Sequence, residues 1–164
     1  MVITKSLYVL WLIGIGLISQ IEVSAQEIKW TSFENLSDSI RKQQKPLMVF
    51  LETDWCKFCA MQKKNTFTNT EVIEKLNSNF YALKLNGESR ETIKFLNRAY
   101  GFKSSGAETG NHELAEFLGK EKGQLVYPTT VFLTKSLTIA GRKVGFTDAS
   151  ELVKYLDALS NRSN

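Results

Sequence analysis

The chain has 164 residues, 43% of them hydrophobic, with 21 basic and 17 acidic side chains and a formal net charge of +4. That length and apolar content suit one globular domain with its own core, not a string of domains or a disordered polymer. The charges are scattered and form no basic stripe, which argues against a nucleic-acid partner.

Met1 to Ala25 has the layout of an export signal. Lys5 supplies a positive start, Leu7 to Ile18 an apolar stretch, and Val23-Ser24-Ala25 a small-residue cleavage site. The apolar run falls short of the about 20 residues that a spanning helix needs, so an uncleaved membrane anchor is the alternative reading. Cleavage after Ala25 would start the mature chain at Gln26, in a periplasmic or extracellular compartment where disulfides persist. The expected organisation is a signal peptide over 1–25 and one domain over 26–164.

Ile28-Lys29-Trp30 reads as a short first strand. Thr31-x-x-Glu34 reads as a capping box, and Phe33, Leu36 and Ile40 follow at helical spacing until the polar run from Arg41 to Lys45. After Pro46, Leu47-Met48-Val49-Phe50-Leu51 is a continuous apolar run, the pattern of a central strand buried on both faces. Glu52-Thr53-Asp54-Trp55-Cys56-Lys57-Phe58-Cys59 comes next and holds both cysteines of the chain. The predicted helix opens at the cysteines and runs through Gln62-Lys63-Lys64.

This spacing has a chemical use. A sulfur at a helix N-terminus meets unpaired N–H groups and the positive end of the helix dipole, which favour its thiolate. The second sulfur lies one turn on, close enough to form a disulfide with the first. Cys56 is therefore the candidate nucleophile, with a pKa expected below the free value of about 8.5, and Lys57 adds a positive charge beside it. Cys59 is the candidate resolving thiol. A structural staple is the plainer alternative, but a staple across two residues constrains little of the unfolded chain.

Thr68-Asn69-Thr70 resets the chain before a helix carrying Val72, Ile73 and Leu76. Phe80 to Leu85 alternates as a strand, with Phe80, Ala82 and Leu83 or Leu85 as core candidates. In 86–110, Thr92 to Phe95 and Ala99 to Phe102 could pair as a hairpin across Leu96-Asn97-Arg98, against a competing helix from Glu91 to Tyr100. Ser104 to Gly110 reads as a loop. Asn111 can cap a helix whose Leu114, Phe117 and Leu118 face inward. Tyr127-Pro128-Thr129-Thr130-Val131-Phe132-Leu133 is a β-branched strand led by proline, and Leu137 to Gly145 returns antiparallel to it. Asp148-x-x-Glu151 caps a last helix with Leu152, Val153, Leu156 and Leu159 on one face. His112 is the only histidine, and two cysteines with one histidine fall short of the about four ligands of a zinc site, so no metal is expected.

The order β-α-β-α-β, an irregular stretch, then α-β-β-α is an α/β arrangement with C-x-x-C after the second strand. Trp55-Cys56-Lys57-Phe58-Cys59 resembles the W-C-x-x-C motif of the thioredoxin superfamily. Tyr127-Pro128-Thr129 resembles its cis-proline loop, and Lys143-Val144-Gly145 before a final amphipathic helix is similar to its C-terminal end. Asp54-Trp55-Cys56, with Thr66-Phe67 and Val72 following, looks most like the secreted bacterial thioredoxin-like proteins and also resembles the C-terminal domain of the membrane thiol–disulfide interchange reductases. The resemblance covers 28–160. It implies a central mixed β-sheet flanked by helices, with an extra irregular or hairpin stretch before the cis-Pro strand.

The same resemblance implies an exported thiol–disulfide oxidoreductase that needs no cofactor beyond a Cys56–Cys59 redox disulfide. Its partners would be proteins with disulfides or thiols and an upstream thiol–disulfide electron donor or acceptor. Trp55 would pack beside the disulfide, and Tyr127 and Pro128 would present backbone to an extended substrate. Lys57 and Phe58 occupy the positions that tune the reduction potential, and the absence of histidine between the cysteines favours the reducing direction. The family's buried aspartate, six residues before the first cysteine, is replaced by Phe50. Glu52 is the nearest carboxylate that could serve, against a plainer role at the strand end. A thioredoxin-fold binding or chaperone-like module with a merely structural disulfide is the competing function. Thr53-x-x-Cys56 does not make a peroxiredoxin motif, because Val49 stands where that motif has proline.

Overall fold

The computed structural model describes residues 27–162, so the export-signal reading of Met1 to Ala25 lies outside the described residues. The elements are α1 (Phe33–Lys42), β1 (Leu47–Glu52), α2 (Lys57–Asn65), α3 (Thr70–Asn79), β2 (Tyr81–Asn86), β3 (Ile93–Phe95), β4 (Arg98–Tyr100), β5 (Phe102–Ser104), β6 (Gly110–His112), α4 (Glu113–Gly119), β7 (Thr129–Leu133), β8 (Ile139–Val144) and α5 (Ala149–Arg162). The main sheet has the order β2-β1-β7-β8. β1 runs parallel to β2 and antiparallel to β7, with Phe50 opposite Lys84 on one side and Thr130 on the other.

β1 is central because its apolar run can be buried on both faces. Leu47, Val49 and Leu51 enter one core with Phe33 and Leu36 of α1 and Leu114, Ala115 and Leu118 of α4. Met48 and Phe50 point the other way, into a core with both cysteines, Val72, Ile73 and Leu76 of α3, and Leu152 and Leu156 of α5. All five residues from Leu47 to Leu51 are fully buried, each worth about 1.5–3 kcal/mol relative to exposure.

Four local expectations differ from the structure. Ile28-Lys29-Trp30 forms no strand: Trp30 makes a single parallel bridge to Ala82, because its N–H turns back to the Ile28 carbonyl at 3.1 Å. The cap of α1 is Ser32, whose Oγ accepts the Asn35 N–H at 3.3 Å; the Thr31 N–H is held by the Ala82 carbonyl instead. The cap of α4 is His112, not Asn111. Its Nδ1 accepts the Leu114 N–H at 3.1 Å, so its Nε2 donates to the Glu91 carbonyl at 3.0 Å. Phe117 is 49% exposed and lies against Tyr100, while Ala115 takes the inward position.

The stretch from 87 to 112 is two successive hairpins, β3-β4 and β5-β6. The first has a two-residue turn at Leu96-Asn97, both with positive φ (51° and 61°), the left-handed backbone such a turn demands. Arg98 therefore belongs to a strand, and no helix forms over 91–100. The predicted loop before Gly110 is the tip of the second hairpin. Among the described residues no helix is long and apolar enough to cross a membrane.

Candidate active site

β1 ends at Glu52, and the chain turns so that the Cys56 N–H bonds the Thr53 carbonyl at 3.2 Å. Cys56 is the N-cap of α2, and its Sγ accepts the Cys59 N–H at 3.1 Å. The two cysteines form a disulfide with Cα atoms 5.2 Å apart. Cys56 is 6% exposed and Cys59 is fully buried. α2 is anchored from beneath by Gln62, also fully buried. The Gln62 amide donates to Thr130 Oγ1 on β7 at 3.2 Å and accepts the Thr147 N–H at 3.1 Å. Thr66 Oγ1 donates to the Thr147 carbonyl at 2.7 Å. A buried amide with both ends bonded fixes the helix; left unpaired it would be destabilising. Nothing in the sequence singles out Gln62, because its partners lie 68 and 85 residues away.

Lys57 and Phe58, between the cysteines, are exposed, Phe58 by 61%. Trp55 is 65% exposed, and its indole Nε1 donates to both carboxylate oxygens of Glu88 at 3.1 and 3.0 Å. Its ring stands edge-on to the Tyr127 ring, with centroids 6.2 Å apart. This contact brings the two sequence-predicted loops, 52–59 and 127–129, together. The Tyr127-Pro128 peptide is cis, and Pro128 is buried. The Tyr127 hydroxyl donates to Asn111 Oδ1 at 3.1 Å. It also lies over Gly87, where an added Cβ would come within 1.8 Å of the hydroxyl oxygen; only glycine lets the ring sit there. Gly87, Glu88 and Asn111 all belong to the double-hairpin stretch from 87 to 112.

Phe50 is fully buried in the core that contains both cysteines, with its ring edge-on to Phe67 at 4.9 Å. Glu52 shares the Phe50 face of β1 by strand alternation. It is half-buried, with Oε2 shut off from solvent and the Lys63 ammonium of α2 at 2.5 Å. His112 is fully buried with both ring nitrogens bonded. Among the described residues no group of three or more His, Cys, Asp or Glu side chains is placed to hold a metal ion.

Burial, reinforced by the nearby charges of Glu88 and Glu116, holds the Tyr127 phenol above its ordinary pKa. The neutral phenol is thus favoured by folding. The resulting stability is whole below the unfolded value of about 10 and is lost as pH rises above it. Urea unfolding between pH 9 and 12 is expected to show a steeper alkaline loss for wild type than for Tyr127→Phe. Parallel curves would show that Tyr127 carries none of that loss.

The thioredoxin-like domain profile matches residues 33–160, spanning α1 to α5. The chain belongs to the thioredoxin-like domain family. No curated protein matches the sequence significantly. Among solved structures this thioredoxin-like protein is similar to an oxidoreductase named DsbH, at 16% identity and TM-score 0.56, over 90% of this chain and 94% of the other. It is similar to a thioredoxin from Thermus thermophilus, at 16% identity and TM-score 0.60, over 84% and 91%. It is also similar to the reduced C-terminal domain of Neisseria meningitidis DsbD, at 14% identity and TM-score 0.51, over 77% and 91%. These likenesses establish a thioredoxin-like fold, a mixed sheet flanked by helices. In this chain the fold carries a C-x-x-C disulfide, Cys56–Cys59, at the start of α2.

Proposed function

We propose that this thioredoxin-like protein is an exported thiol–disulfide oxidoreductase that reduces, or exchanges, disulfides in protein substrates. The observation that carries the reading is Cys56 as the N-cap of α2, its sulfur on the Cys59 N–H. That position favours a thiolate at Cys56 once the disulfide is reduced. In the reducing direction the Cys56 thiolate attacks one sulfur of the substrate disulfide, and the other substrate sulfur leaves as a thiolate. Cys59, deprotonated, then attacks the Cys56 sulfur of the mixed disulfide. The second substrate thiolate leaves, the Cys56–Cys59 disulfide closes, and two electrons have passed to the substrate. An external dithiol donor restores the reduced pair; in the opposite direction a disulfide acceptor takes its place. The Tyr127-Pro128 loop and Trp55 flank the substrate segment, and Lys57, Phe58 and Glu52 tune the pair. The domain spans 26–164, and Met1 to Ala25 directs export to the periplasm or beyond and is removed near Ala25.

The test is the rate of reduction of a model protein disulfide by a dithiol reductant, with Cys56→Ser as control. The wild type is expected to accelerate the reaction and the variant to fall to background; equal rates would overturn the proposal. A reduction potential near about −270 mV would make the protein a reductant, and one near about −120 mV an oxidant. The second reading, a binding module with a structural disulfide, is favoured by Phe50, which leaves no carboxylate at the family's aspartate position. Equal rates in the same assay are its expected result.

A further inference from the structure

The double hairpin of residues 87–112 is internally bonded and tied to the end of β1. The Gly87 N–H donates to the Glu52 carbonyl at 2.8 Å, and the Gly87 carbonyl accepts the His112 N–H at 2.7 Å. Buried His112 bonds back to the Glu91 carbonyl. Glu113, the first residue of α4, accepts the Gly101 N–H through its carboxylate at 2.9 Å and donates its own N–H to the Gly101 carbonyl at 2.8 Å. Only two side chains of this unit hydrogen-bond the aromatic residues beside the disulfide, and they take one each. Glu88 receives the Trp55 indole N–H through both oxygens, and Asn111 receives the Tyr127 hydroxyl.

Trp55 most needs such a hold. It is 65% exposed, so little packing restrains its rotamers, and ordering it on binding would cost affinity. Anchored by Glu88 at one edge and by the Tyr127 ring on one side, it is ordered before any partner arrives. Tyr127 is restrained in turn by Asn111 and by its close seat on Gly87. Among the described residues Glu88 makes no ion pair within 4 Å, so its one described side-chain partner is the indole.

Resting on the proposed oxidoreductase activity, we infer that Glu88 and Asn111 are positioning residues. They hold Trp55 and Tyr127 as one preformed wall beside the disulfide, and through them the double hairpin makes the site selective for disulfides within polypeptides over small free disulfides. A polypeptide lies along the wall and gains from its order; a small disulfide meets the sulfurs alone.

The experiment compares kcat/KM for a protein disulfide with that for a small aromatic disulfide, together with the indole N–H resonance of Trp55. Glu88→Ala is expected to lower the protein-to-small ratio by about fivefold, through KM for the protein substrate. It should also shift the Trp55 indole resonance and speed its solvent exchange. Glu88→Gln keeps an acceptor oxygen and is expected to restore both readouts; Asn111→Ala and Asn111→Asp should show the same contrast in the ratio. A ratio unchanged in Glu88→Ala and Asn111→Ala, or Glu88→Gln as impaired as Glu88→Ala, overturns the inference while the activity stands. A wild type no faster than Cys56→Ser overturns the activity and the inference together.

Discussion

Cys59→Ser is expected to accumulate stable mixed disulfides between Cys56 and its substrates, and to lose turnover by about a thousandfold or more. Cys59 sits one helical turn from Cys56, its own N–H already on the Cys56 sulfur. In the proposed mechanism the second thiol attacks from within the molecule, at an effective concentration that no free thiol in solution reaches. Remove it, and the mixed disulfide waits for an external thiol. Cys59 is fully buried, so an incoming thiol does not take its place easily. Mass spectrometry of non-reduced samples should find substrate joined to Cys56 and released by a dithiol, with no adduct in Cys56→Ser. No adduct in Cys59→Ser, with activity retained, would remove Cys59 from the resolving role.

Phe50→Asp is expected to unfold the domain or leave it with little residual stability. The substitution restores the residue type the family places six residues before its first cysteine, but into a space built for an aromatic ring. Phe50 is fully buried, touches Phe67 edge-on and shares its core with both cysteines. Truncating a buried phenylalanine costs about 3–5 kcal/mol. A carboxyl there adds a further penalty of about 1–3 kcal/mol if it stays neutral and unbonded. The sum rivals the about 5–15 kcal/mol that a domain possesses. Phe50→Leu, which keeps the apolar character, should lose about 1–2 kcal/mol by urea unfolding. If Phe50→Asp remained within about 1 kcal/mol of Phe50→Leu, the packing account of this position would be wrong. A charged side chain does reach this side of the sheet at Glu52, but it is already ion-paired with Lys63 at 2.5 Å.

Residues with strong local signals were readable in the sequence. Leu47 to Leu51 is apolar without interruption, and only a central strand buries five such side chains on two faces. Leu152 and Leu156 repeat at helical spacing, and the Glu151 N–H does reach the Asp148 carboxylate at 2.8 Å. The hairpin at 93–100 was within reach, but its turn was placed one residue too long. Leu96 does not advertise the positive φ that it adopts, as glycine would have done. The caps at Ser32 and His112 were missed by one residue each. In both cases the neighbouring candidate was taken by a distant partner: the Thr31 N–H by Ala82 and the Asn111 side chain by Tyr127.

By itself the sequence determined the central strand, the helix opened by Cys56, the pairing of Cys56 with Cys59 and the proline-led strand at Pro128. All of these follow from patterns a few residues long: hydrophobic period, cysteine spacing and motif. Only the tertiary structure decided what surrounds the disulfide. It joined Trp55 to Glu88 across 33 residues, Gln62 to Thr147 across 85 and Tyr127 to Asn111 across 16. It also buried Phe50 in the same core as both cysteines. A hydrogen bond between distant residues depends on where the fold carries both partners, and no periodicity along the chain encodes that distance.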